Sequence, residues 1–133
     1  MCCLSTVRVT VLFCSITLAC QVLLGADMLT AYVGTYTRGD SEGIYRLSLE
    51  IDGNEVKSSK LQLVAKTNNP SFLALHPDGK HLYAVGEFGQ FQGKPSGAVH
   101  AFTIAGDGTL SLINTQPSQG GAPCHLVVDK TGQ

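Results

Sequence analysis

Phe72-Leu73-Ala74-Leu75-His76-Pro77-Asp78-Gly79-Lys80-His81-Leu82-Tyr83-Ala84-Val85-Gly86 reads as a strand, a tight turn and a second strand. Phe72 to Leu75 is a short continuous apolar run, as in a strand buried on both faces. Pro77 presets its own φ and Gly79 tolerates a positive one, so His76 to Gly79 turns the chain. His81 to Gly86 then continues with the run Leu82-Tyr83-Ala84-Val85. Working outward, Glu87 to Ser96 is a loop rich in glycine and glutamine. Ala98 to Ile104 is a third strand, with Ala98, His100, Phe102 and Ile104 on one side and Val99, Ala101 and Thr103 on the other. Ala105-Gly106-Asp107-Gly108 turns into a fourth strand over Leu110 to Thr115. No window beyond Asp27 carries an apolar period of 3.6 residues, so an all-β chain is expected.

The four-strand unit recurs. Gly34 and Gly86 are 52 positions apart, Gly43 and Gly97 are 54 apart, and Asp52-Gly53 precedes Asp107-Gly108 by 55. Pro70 and Pro123, Leu73 and Leu126, and Gly79 and Gly132 each stand 53 apart. Four short strands repeating at about this interval are the signature of a β-propeller blade. A blade buries its faces only against its neighbours. From Asp27 the chain holds two such periods, opening on a second-strand equivalent (Thr30 to Gly34) and stopping just past a first-strand equivalent. The expectation is therefore about two blades from the front of a longer propeller. The alternative is a short chain that closes a ring from several copies.

Residues 1–26 read as a secretory signal peptide, and residues 27–133 as the propeller segment. Arg8 is the one charge before Asp27, and Val9 to Leu24 is almost continuously apolar. Cleavage is expected after Ala26 or after Ala19. The apolar run is shorter than the roughly 20 residues that span a bilayer, so no stable membrane span is expected once the leader is removed. An exported protein, periplasmic or secreted, follows. A retained anchor, or lipidation at the Thr17-Leu18-Ala19-Cys20 stretch, is the lesser alternative. Four of the five cysteines fall in the leader, leaving Cys124 alone, so no disulfide framework can form within one chain. A net charge of −1 without a basic block excludes a nucleic-acid footprint. There is no Gly-x-Ser-x-Gly elbow, P-loop, Gly-x-Gly-x-x-Gly or Cys-x-x-Cys, so serine-hydrolase, nucleotide and zinc readings have no support.

Several phrases together resemble the seven-bladed propeller lactonases, typified by propeller-type 6-phosphogluconolactonases. They are Tyr32-Val33-Gly34-Thr35-Tyr36, Gly43-Ile44-Tyr45, Asn69-Pro70-Ser71-Phe72-Leu73-Ala74, His76-Pro77-Asp78-Gly79-Lys80, Leu82-Tyr83-Ala84-Val85 and Gly120-Gly121-Ala122-Pro123-Cys124-His125-Leu126. The resemblance covers nearly all of the chain beyond the leader. It implies a seven-bladed ring, a small-molecule lactone substrate, no cofactor and a monomeric complete protein.

Antiparallel succession within a blade puts four loops at one end: Thr35 to Glu42, Thr67 to Ser71, Glu87 to Ser96 and Pro117 to Cys124. Tyr36, Arg38, Asn69, Glu87 and His125 are the candidate polar groups there. Residues that open an innermost strand point best at a central channel. His125 is one of these, with the apolar Phe72 as its counterpart one blade earlier. An imidazole in an apolar position is the kind of local inconsistency that marks a site. His125 is read as the catalytic residue, a general base that activates water, because imidazoles ordinarily titrate near neutrality. Glu87 is read as a substrate-binding carboxylate for hydroxyls, and Arg38 as a substrate-binding fork for an anionic group. The resemblance places a Pro-x-His phrase at Pro123-Cys124-His125. The Pro-Arg-His and Asn-Glu phrases associated with the lactonase site belong to later blades and are not in this sequence, so the set is incomplete. Cys124 beside His125 points to the opposite face and is not assigned a role. His76 and His81 flank a turn without a carboxylate cluster, and no metal is assigned.

The function expected is hydrolysis of a sugar lactone, such as 6-phosphogluconolactone, to the open acid by the complete propeller, the two-blade segment alone being inactive. A non-catalytic propeller that binds protein or glycan, and a muconate-type lactonising enzyme, are the alternatives. Export disfavours a phosphorylated sugar and favours an unphosphorylated lactone. Seven periods of this length give about 370 residues. The intact natural product should thus weigh about three times the 14.0 kDa of this sequence. Mass spectrometry of the protein from its own cells checks this, and a mass at or below 14.0 kDa would overturn it.

Overall fold

A computed structural model describes residues 26–133. The leader read over residues 1–26 lies outside the described residues except for Ala26. Nine strands and no helix make up the described chain: β1 (Asp27–Val33), β2 (Gly43–Asp52), β3 (Glu55–Lys66), β4 (Leu73–Leu75), β5 (His81–Gly86), β6 (Gln90–Phe91), β7 (Lys94–Pro95), β8 (Ala98–Ile104) and β9 (Leu110–Pro117). No helix among them is long and apolar enough to cross a membrane.

The strands form two antiparallel sheets, β1-β2-β3 and β4-β5-β8-β9, with a two-stranded β6-β7 ribbon. The second sheet is the four-strand unit expected from the sequence, in chain order. The first lacks the counterpart of β4, so β1 is a sheet edge, and its Met28 and Leu29 are exposed. The β6-β7 ribbon lies inside the segment read as an irregular loop. Its turn carries Gln92 at φ +51° and Gly93 at φ +75°. Residues 124–128, read as a first-strand equivalent, join no sheet here. Their apolar side chains lie beside Tyr83 and Val99 in a groove that ends at Gly132 and Gln133.

One device closes three turns. The Lys80 N–H donates to Asp78 Oδ1 at 2.7 Å, the Thr109 N–H to Asp107 Oδ1 at 3.0 Å, and the Thr131 N–H to Asp129 Oδ1 at 2.7 Å. The aspartate mimics a backbone turn, and Gly79 and Gly108 supply the positive φ that follows. These short loops fix the pairing register of the strands they join, Leu75 against Leu82 and Ile104 against Leu110.

The core lies where the two sheets face each other. Ile44, Leu82, Ala84 and Phe102 are buried together, flanked by Tyr32, Val64, Ala65, Leu73, Ile104 and Leu110. Ile44 comes from the first sheet and the other three from the second, so the dry interface is shared between blades. Its rim is polar. The Tyr32 hydroxyl donates to the Gly108 carbonyl at 2.9 Å, and Arg46 Nη1 donates to the carbonyl of Asp107. The alternation read over Ala98 to Ile104 holds, with Ala98, His100 and Phe102 buried.

Two close approaches set the packing. A Cβ on Gly34 would stand 2.0 Å from the Pro70 carbonyl oxygen, and one on Gly86 would stand 2.8 Å from His100 Nε2. The first neighbour is backbone and cannot turn aside. Gly34→Ala is expected to destabilise the fold by about 1–3 kcal/mol through overpacking, read as a lower denaturant midpoint at unchanged slope. His100 pairs across the ladder with Thr115, its Nδ1 being 2.9 Å from Thr115 Oγ1, while Nε2 is buried without a partner. Burial holds its pKa below the usual value, because the charged ring loses its water. The unfolded chain therefore binds this proton first. Stability from this group is complete above about pH 6.5 and is lost as pH falls below it, by at most about 1.4 kcal/mol per pH unit. His100→Gln should flatten that slope between about pH 6.5 and 5 in chemical denaturation. An unchanged slope would assign it to other groups.

Candidate functional site

Four loops meet at one end of the two sheets: the turn after β1, the β3–β4 link, the β5–β8 loop and the segment after β9. Asn69 is the pivot of the first three. Its backbone sits at φ +44°, a left-handed conformation that asparagine tolerates better than most residues. Asn69 Oδ1 accepts from the Thr37 N–H at 3.0 Å, and its Nδ2 donates to the Glu87 carbonyl at 3.1 Å. The Glu87 N–H returns a bond to the Asn69 carbonyl at 3.0 Å. Thr37 Oγ1 accepts from the Asn69 N–H at 3.2 Å and shares its own proton between Asn68 Oδ1 and Asn69 Oδ1. One side chain on the β3–β4 link thus ties the loop after β1 to the end of β5.

Glu87 stands at the end of β5, and its carboxylate projects into this frame. The Tyr36 hydroxyl donates to Glu87 Oε2 at 2.8 Å, and the Ser71 hydroxyl donates to the same oxygen. Those two bonds, Ser71 first, hold the Glu87 carboxyl below its ordinary pKa, against a smaller opposing effect of desolvation. Glu87 is therefore ionised at neutral pH and suited to accept hydrogen bonds rather than to deliver a proton. The same carboxylate raises the Tyr36 pKa, chiefly through the hydrogen bond. Tyr36 is half exposed, and the Arg38 guanidinium lies 5.9 Å from its ring centroid, within cation–π range.

His125 is exposed, and its ring packs against Phe72 with centroids 4.5 Å apart. The two blade-opening residues that the repeat sets 53 positions apart are therefore neighbours in space. Phe72 follows Ser71 directly in the chain, so the His125 contact and the Glu87 frame are linked through adjacent residues of the β3–β4 connection. No direct contact joins His125 to Glu87 or Arg38 among the described residues.

Of the residues expected from sequence, Glu87, Tyr36, Arg38 and Asn69 come together, and His125 packs on Phe72 outside that hydrogen-bond frame. Ser71 and Thr37 were not singled out, yet their hydroxyls orient the carboxylate and the asparagine. The available signal was position: Ser71 lies two residues from Asn69, and Thr37 lies between Tyr36 and Arg38, on loops at the same end. A cleft lined by Phe91, Lys94, Pro95, Ser96, Pro117 and Gln119 also opens on this end, and none of the candidate residues lines it. Cys124 is a free exposed thiol.

Comparison with known proteins agrees with this architecture. Residues 30–133 match the family model described as lactonase, 7-bladed β-propeller. A 6-phosphogluconolactonase of Bacillus subtilis is 38% identical over 103 residues, covering 77% of this chain and 28% of that protein. One from Formosa agariphila is 36% identical over 107 residues, covering 77% and 28%. Among solved structures, a candidate 6-phosphogluconolactonase of Bacteroides fragilis superposes with a TM-score of 0.65 at 40% identity, covering 77% of this chain and 27% of that one. The periplasmic gluconolactonase of Pseudomonas aeruginosa gives a TM-score of 0.61 at 33% identity, covering 73% and 27%. The chain spans about 28% of the length of the curated relatives it matches. Matched over most of its length, and folded into a three-stranded sheet followed by a complete four-strand unit, the chain belongs to the seven-bladed β-propeller lactonase family.

Proposed function

We propose that the complete protein hydrolyses a sugar lactone to its open-chain acid, and that this segment supplies part of one wall of the site. The observation that carries the reading is the ionised Glu87 carboxylate, held by Tyr36 and Ser71 at the end of the blades where His125 packs on Phe72. Membership of a lactonase family supports the reaction class.

In this mechanism His125 takes a proton from water as the water oxygen bonds to the lactone carbonyl carbon. The tetrahedral intermediate then collapses, the bond from that carbon to the ring oxygen breaks, and the imidazolium returns the proton to the departing oxygen. Atoms balance, with one water consumed and one hydroxy acid formed. Glu87 accepts hydrogen bonds from sugar hydroxyls through the oxygen that Tyr36 and Ser71 leave free. Arg38, stacked near Tyr36, offers a guanidinium to the carboxylate that forms, or to another anionic substituent. Cationic or hydrogen-bonding groups for the developing oxyanion come from the remaining blades. The periplasmic relative and the apolar leader support an exported protein, and an unphosphorylated lactone fits that compartment better than a sugar phosphate.

The test uses the full-length protein with glucono-1,5-lactone and 6-phosphogluconolactone, after subtraction of spontaneous opening. His125→Ala should lower kcat by about 100-fold or more with little change in KM. Glu87→Gln should raise KM with a smaller effect on kcat, because it removes binding common to substrate and transition state. The depressed Glu87 pKa keeps its contribution to binding intact as pH falls, until the pH drops below the ordinary carboxylate range. KM should accordingly stay flat between about pH 8 and 5. Wild-type kcat in His125→Ala would refute the general-base role, and no hydrolysis above background would refute the lactonase reading.

A further inference from the structure

The β4–β5 hairpin lies at the end of its blade opposite the loops described above. His76 and His81 are its closing pair, the His76 N–H donating to the His81 carbonyl at 3.0 Å next to the register pair Leu75–Leu82. Directly opposed residues place their side chains on one face of a ribbon. The two rings meet edge to face with centroids 5.7 Å apart. Asp78 rises between them. Its Oδ1 stands 2.9 Å from His76 Nδ1, and its Oδ2 stands 2.8 Å from His81 Nδ1. The three donor atoms all lie within 4.8 Å of one another. Bonds to a small divalent ion near 2.0–2.1 Å set adjacent ligand atoms about 3 Å apart, so a small rotation of one imidazole completes the set.

Three features make this more than a chance meeting. The carboxylate is fixed, because the Lys80 N–H holds Oδ1. His76 presents a defined nitrogen: a Cβ on Gly132 would stand 2.2 Å from His76 Nε2, so the 129–133 turn closes that edge and leaves Nδ1 facing Asp78. That Nδ1 also accepts from the Asp78 N–H at 3.1 Å. A bound cation takes that lone pair in place of the Asp78 N–H. The side chains are 22–34% exposed, so a hydrated ion can reach them.

We propose that His76, Asp78 and His81 bind a divalent transition-metal ion, Zn²⁺ first among them, with water in the remaining positions. Two imidazoles and one carboxylate suit zinc and its neighbours rather than magnesium or calcium. The ion acts as a clip on the hairpin. It has no part in lactone chemistry, since Glu87 and His125 stand at the other end of the strands. By linkage, an ion that binds only the folded chain raises its stability.

The test titrates chelator-treated full-length protein with ZnCl₂ by calorimetry and follows the melting temperature. One ion per chain with a Kd of about 1–100 μM, and a melting temperature that climbs with Zn²⁺, are the expected results. His81→Gln should weaken binding at least about tenfold, while His125→Gln leaves it unchanged. Should His81→Gln fail to fold, protection decides on the wild-type protein: Zn²⁺ should shield His76 and His81, but not His125, from diethyl pyrocarbonate, read by peptide mass spectrometry. Binding weaker than about 1 mM, binding indifferent to His81→Gln, or uniform protection of all histidines would overturn the proposal.

Discussion

A four-stranded sheet twisted into a blade has two apolar faces and no means of covering either by itself. The packing of one blade on the next is therefore the condition for every other feature of this chain. Ile44 reaches from the first sheet into the cluster of Leu82, Ala84 and Phe102 in the second. Around that dry centre, polar links close the interface at both ends: Tyr32 and Arg46 onto the Asp107-Gly108 turn at one, and the Asn69 frame at the other. Gly34 belongs to the same requirement, since the blades meet backbone to backbone at Pro70.

The electrostatics of the loop end follow from this seam. Glu87 belongs to the second blade and Tyr36 to the first, and the carboxylate is stabilised by hydroxyl donors rather than by a cation. Arg38 lies over the ring of Tyr36. The rim thus carries a carboxylate fixed by two hydroxyl donors and a guanidinium resting over an aromatic ring.

Much of the fold was legible because turn chemistry and repeat spacing agree. Pro77-Asp78-Gly79 and Asp107-Gly108 have few alternative conformations, and the apolar runs between them fit strands alone. The β6-β7 ribbon was not legible, because Gln90 to Pro95 has neither alternation nor an apolar run long enough to register. Residues 124–128 carry the right pattern, yet a strand also needs a partner ladder, which no local pattern can supply. At the site, Glu87 and His125 stood out as charges or rings in positions where the repeat has other residue types. Ser71 and Thr37 did not, since hydroxyls are ordinary in loops and gain meaning only from what they face. Asp78 likewise read as a turn residue, and only the register of the hairpin shows two imidazoles converging on it.

The clamp on Glu87 joins groups that belong to different repeats. The carboxylate therefore senses the angle between neighbouring units as well as its own surroundings. A substitution at Ile44, buried in the seam just beneath the loop that carries Tyr36, can tilt one unit against the next and move the Tyr36 hydroxyl relative to Ser71. Ligand preference in such a ring can thus drift by changes in the hidden seams while every residue at the rim stays the same. Sequence comparison restricted to the rim would miss that route of divergence.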